Sequence, residues 1–269
     1  MAEISSSITS TTRTTSSRLM VWVRRLAFYA ALLLLWQVIV SLNIWPSYAL
    51  PGPQDVLASL VGGFASGQFL LAALVSLQRL AIGYAISLVL GTVLGILVGR
   101  FSVVEETVGS LILGLQALPS VCWLPLAVLW FGLSEQAILF VVVMGALFSI
   151  TLGIESGIKN TPPIYLRAAR TLGTRGQALY TQVILPAALP SIVSGLKQGW
   201  TFAWRSLMAA ELLYFTLSLG NLLNNGRDLN DAAQVIAVML VIVAIGVAID
   251  SLIFSTLERN LRERWGLQR

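Results

Sequence analysis

Few residues in this chain could do chemistry, and three of them share one apolar stretch: Lys197, Arg205 and Glu211, all within 188–215. Ionisable groups in such surroundings are costly to bury, so they face a bundle interior or a water-filled path. Lys197 and Arg205 are separated by about 12 Å along a helix, near one face after two turns. Two cations so placed would make a passage attractive to an anion. The competing reading is structural, a pairing of Lys197 or Arg205 with Glu211 or with backbone carbonyls. Trp123, Trp130 and Trp204 fall near these positions and could line a gate, although aromatic rings more often pack in a bundle or mark an interface. The chain has no histidine and a single cysteine, Cys122. Imidazole general-base catalysis, the commonest transition-metal ligand and an intrachain disulfide are therefore ruled out. No apolar stretch holds paired carboxylates, which argues against an integral membrane enzyme.

These residues need elements to position them. Hydrophobic residues make up 57% of the 269 and charged residues 11%, with a mean hydropathy of +0.83. Soluble domains carry about 25% charged residues, so the bilayer must act as solvent for much of this surface. Six stretches approach the roughly 20 apolar residues that a membrane-spanning helix needs. They are 26–44, 72–99, 107–133, 136–154, 188–215 and 232–256. Pro119 and Pro125 interrupt the third and predict a kink there. The expected fold is all-α and polytopic, with about six transmembrane helices.

The net charge of +5 is spread between apolar runs and not gathered in a patch, so it reads as the cytoplasmic bias of Lys and Arg and not as nucleic-acid binding. Arg13, Arg18, Arg24, Arg25, Arg100, Lys159, Arg167, Arg170, Arg175, Arg259, Arg262, Arg264 and Arg269 all fall on one side of a six-span chain. Both termini are then cytoplasmic. Residues 1–20 read as a disordered Ser/Thr-rich tail, 21–258 as the transmembrane domain and 259–269 as a basic tail. On the outer side, 54–64 has helical apolar spacing after a turn-rich entry at Pro46, Pro51, Gly52 and Pro53, which predicts a short interfacial helix. Small-residue ridges at Gly91, Gly95 and Gly99, and at Gly195 and Gly199, permit close helix contact within or between subunits.

The loop at 155–187 is the most informative segment. Thr161-Pro162-Pro163 reads as a helix start with Thr161 as N-cap. Ile164, Ala168 and Leu172 share a face with Tyr165 and Ala169 beside them, while Arg167 and Arg170 stand on another side. Gly173 is placed to stop the helix.

From Arg167-Ala168-Ala169 through Gly173 to Val183-Ile184-Leu185-Pro186, the spacing resembles the Glu-Ala-Ala loop of binding-protein-dependent ABC importer permeases. Arg167 stands where that family has glutamate. Leu50-Pro51-Gly52-Pro53, Ala117-Leu118-Pro119 with Leu124-Pro125, Leu129-Trp130-Phe131-Gly132 and Ala209-Ala210-Glu211-Leu212 look like the nitrate, sulfonate and taurine branch. The likeness runs from about residue 26 to 265. It implies a type I importer permease in the cell inner membrane, paired with a second copy of itself. Two ATPase subunits would dock under a coupling helix bearing Ile164, Arg167, Ala168, Ala169, Leu172 and Gly173, with Leu185 and Pro186 at its return. A periplasmic or extracellular substrate-binding protein would deliver a small anionic solute to a pathway near Trp123, Trp204, Lys197, Arg205 and Glu211. ATP and Mg belong to the partner ATPase, since G-x-x-x-x-G-K-[ST] is missing here and the chain carries no cofactor of its own. The alternative is a secondary transporter or channel working without ATP.

Overall fold

A computed structural model describes residues 16–46 and 48–264. Helix α1 covers Ser16–Ser41, α2 Pro53–Ala65 and α3 Gln68–Arg100. A broken segment follows: α4 (Ser102–Val104), a π-helical turn, α5 (Ser110–Gln116), a 3-10 turn and α6 (Leu124–Phe131). Then come α7 (Glu135–Lys159), α8 (Pro163–Thr171), α9 (Gly176–Leu179), α10 (Leu185–Glu211), α11 (Leu219–Asp228), α12 (Ala232–Ile249) and α13 (Ser255–Arg264). No strand occurs among the described residues. The expected tail at 1–20 lies outside them up to residue 15, and from Ser16 the chain is already helical. At the other end Arg259 continues in α13, and 265–269 lie outside.

Five helical stretches are long and apolar enough to cross a membrane, and the broken segment makes a sixth if it counts as one span. The helix contacts decide that it does. Along α3, Gly83, Gly91, Gly95 and Gly99 meet Val142, Ile150, Ile154 and Ile158 of α7 in constant register. The two helices are therefore parallel, and residues 101–134 must travel back the full length of the pair. Their contacts trace that return: Glu105 pairs with Lys159 at one end of α7, and Trp130 meets Phe140 edge to face near the other. The proline-driven kink is in fact a full break, with the two halves bent by 102°. Pro119 leaves the helix at ψ 133°, and Pro125 restarts it in the first turn of α6, where a missing N–H costs nothing.

Helix α7 is the centre of the bundle: 61% of its most apolar window is buried, against none of that of α1. It runs antiparallel to α10, and a Cβ built on Gly153 would fall 2.5 Å from Gly195 Cα, so the two backbones cross almost in contact. Without a hydrophobic drive between helices in lipid, this packing is what associates them. Ile138, Val141, Val142, Ile150 and Leu207 fill the seam. The α3 glycine ridge is thus an intrasubunit contact. The interfacial helix expected at 54–64 is α2, packed through Val56 against α3 and α12.

Candidate functional site

Functional side chains gather at two ends of the bundle and in a cavity between them. At the loop end, α8 stands between α7 and the return to α10. Its last turn closes as a Schellman motif: Thr174 N donates to Ala169 O at 2.9 Å and Gly173 N to Arg170 O at 3.0 Å. Gly173 sits at φ +86°, a left-handed conformation that costs any other L-residue. The start is built differently from the sequence expectation. Thr161 is not the cap: it is buried and its hydroxyl donates back to Gly157 O at 3.2 Å, leaving Pro162 at the cap position with no side-chain bond.

The two faces of α8 also divide differently. Ala169 is buried, and Leu166 packs with it on the main core. Ile164, Tyr165, Arg167, Ala168 and Leu172 all face out, Leu172 at 85% exposure. Ala169, expected beside the docking face, therefore holds the helix to its base instead. Leu185 and Pro186 begin α10 just after a π-helical turn at Tyr180–Ile184. Pro186 has no N–H to offer the preceding turn, which is where the ladder changes register. Arg100, at the end of α3, lies over the Tyr180 ring at 4.8 Å and ties the return to the bundle.

At the opposite end, Arg79 joins three elements. Its Nε donates to Glu135 Oε2 at 2.7 Å, one terminal nitrogen to Glu211 Oε1 at 3.0 Å and the other to Thr216 Oγ1 at 2.9 Å. Glu211 is fully buried and also accepts from Ser76 at 2.8 Å and from Gly220 N at 3.2 Å. The carboxylate thus has every partner a buried charge requires. The partner of Glu211 is Arg79, not Lys197 or Arg205. Arg79 lies outside the 188–215 stretch that holds Glu211, so no spacing within that stretch points to it. The signal was there: Arg79 is the one charge in an otherwise uncharged stretch from 68 to 99, and such a residue calls for an opposite charge elsewhere.

Between the ends, Lys197 faces Asp250 at 3.3 Å and Glu258 at 3.8 Å. Arg205 is exposed and lines a cavity at the break between α5 and α6. The structure thus separates the two cations that spacing had paired. Trp123 packs on Phe140 and Phe148, and Trp204 borders both large apolar clusters and faces Gly246 of α12. Both tryptophans are bundle residues.

The described residues thus form a helical bundle of up to six spans with an exposed helix at one end. Residues 88–264 match the family described as "Binding-protein-dependent transport system inner membrane component", and the chain belongs to that family. It is 31% identical to a putative ABC transporter permease protein of Methanocaldococcus jannaschii, over 85% of this chain and 87% of that one. The taurine transport system permease protein of Escherichia coli K12 is 30% identical over 87% and 84%. The nitrate import permease protein of Leptolyngbya laminosa is 29% identical over 66% and 64%. The chain is accordingly a multi-pass permease subunit of an ABC importer, which sets aside the reading as an ATP-independent channel or secondary transporter.

Proposed function

We propose that this subunit moves a small anionic solute inward by alternating access, as one half of a homodimer driven by two ATPase subunits. The carrying observation is α8, a short helix clamped at Gly173 with an outward face of Ile164, Arg167, Ala168 and Leu172. Such a face fits a docking knob, since no described residue covers it. Arg100, Lys159, Arg167, Arg170 and Arg175 share its end of the bundle, and that bias makes the loop end cytoplasmic, with both termini. ATP and Mg bind the partner ATPase; its closure draws the two α8 helices together and rocks the bundles between outward and inward access. A substrate-binding protein delivers the cargo at the Arg79 end. The relatives named for taurine and nitrate support a small anion as that cargo.

Cysteine introduced at Ile164 or Leu172 should cross-link to the ATPase in the assembled complex and be shielded from impermeant thiol reagents applied outside intact cells. Labelling of these positions from the outside would remove the motor's grip and end the reading.

A further inference from the structure

The cavity at the break between α5 and α6 belongs neither to the α8 loop nor to the Arg79 cluster. It measures about 280 Å³ and is walled by Gln116, Ser120, Phe148, Ser149, Phe202 and Arg205. That volume falls just below the roughly 300–1,000 Å³ of drug-sized ligand sites, which suits a solute of few heavy atoms. Phe148 and Ser149 sit in the middle of α7, so the cavity is at mid-depth in the bundle.

Its polarity has one sign. Arg205 makes no ion pair and no side-chain hydrogen bond among the described residues. No carboxylate lines the cavity. Ser149 is buried and lines the cavity, and its hydroxyl makes no side-chain hydrogen bond among the described residues. Gln116 and Ser120 add donor groups on the facing wall. Of the three cations along the bundle, Arg79 is consumed by Glu135 and Glu211, and Lys197 by Asp250 and Glu258. Arg205 is the one of these three without a charged partner among the described residues. An unpaired guanidinium at such a depth is costly unless something anionic or water occupies its front.

We infer that this cavity is a transit subsite for the oxyanion group of a small monovalent solute, a nitrate or an organic sulfonate. The Arg205 fork supplies two parallel donors, a geometry that fits planar or tetrahedral oxyanions. Ser149, Ser120 and Gln116 complete the shell. A single uncompensated positive charge balances one negative charge, so a dianion such as sulfate leaves a net charge in the bundle and is disfavoured. The inference rests on the permease reading above and gives it a residue within the membrane.

The test uses the whole transporter, permease with its ATPases and binding protein, in phosphatidylcholine vesicles. Initial uptake of taurine, ethanesulfonate and nitrate is measured for wild type, Arg205→Gln and Arg205→Lys. Arg205→Gln should lose about tenfold or more of the uptake of whichever anion the wild type carries, a size set by local field effects on anion concentration. Arg205→Lys should recover part of it. Wild-type uptake preserved in Arg205→Gln overturns the subsite and leaves the permease standing. A wild type that carries none of the three oxyanion-bearing solutes overturns the importer reading, and the subsite with it.

A second measurement is independent of turnover. Cys122 is exposed, adjoins the cavity in sequence and is the chain's single thiol. With partner cysteines removed, its labelling by a sulfonate-bearing methanethiosulfonate is compared with that by the trimethylammonium analogue, each rate divided by that for a free thiol. The sulfonate reagent should be favoured by about tenfold, and Arg205→Gln should bring the ratio near one. Equal normalised rates in the wild type would refute the site.

Discussion

The two ends of α10 handle their polar residues in opposite ways. At its last residue, Glu211 is sealed from solvent and bound to Arg79, Ser76 and Gly220, so charge there fastens α3, α7 and α10 to the turn before α11. Before its first residue, α8 turns Ile164, Arg167 and Leu172 outward and keeps Ala169 and Leu166 in. The first arrangement is complete within the chain, whereas the second leaves large apolar side chains uncovered by any described residue. Family-like motifs lie at both ends, Ala-Ala-Glu-Leu at one and Arg-Ala-Ala at the other. The lesson is that a motif marks a sealed cluster in one place and an exposed face in another, and burial tells which.

The sharpest way to break that contrast is Arg79→Gln. Removing one partner leaves Glu211 buried and unpaired, at a cost of about 3–5 kcal/mol. The purified subunit should show a much lower melting temperature by fluorescence-detected gel filtration. Arg79→Met with Glu211→Leu should recover most of the loss, because apolar replacement of a whole buried pair is close to neutral. If Arg79→Gln melts like the wild type, the cluster does not fasten that end.

Gly173→Val should cost less stability, about 1–2 kcal/mol for a left-handed residue, but should uncouple ATP hydrolysis from uptake by misdirecting the end of α8. Retained coupling in proteoliposomes would count against the clamp. Leu172→Asp sharpens the contrast further: an exposed change should leave stability within about 0.5 kcal/mol while weakening co-purification with the ATPase. Ala169→Asp, on the inward face, should instead destabilise the loop itself. The smallest effect is expected for Lys197→Gln, whose partly exposed pairs with Asp250 and Glu258 are worth about 0–1 kcal/mol; a large loss of melting temperature would show that these pairs do more than tether α10 to the segment that follows α12.

Much of this protein was legible in its residues because the bilayer allows few solutions. With no water to satisfy backbone groups, long apolar runs must be helices, and the runs near 72–99, 136–154, 188–215 and 232–256 appear as α3, α7, α10 and α12. Gly173 carried its own explanation, since a left-handed helix end selects glycine. The break at Pro119 was legible as a kink but not as a 102° bend, because proline fixes where a helix stops and packing fixes where it goes next. The partners of charged residues were least legible. Arg79 and Glu211 are 132 positions apart, and no local spacing relates them. Lys197 and Arg205 share a helix yet meet different neighbours, Asp250 and Glu258 for one and an open cavity for the other. Sequence alone determined the long helices, the glycine stop at Gly173 and the family resemblance, because those follow from short-range chemistry and the demands of lipid. The tertiary structure decided which charges are spent and which remain free, because that depends on contacts between helices that the chain brings together only on folding.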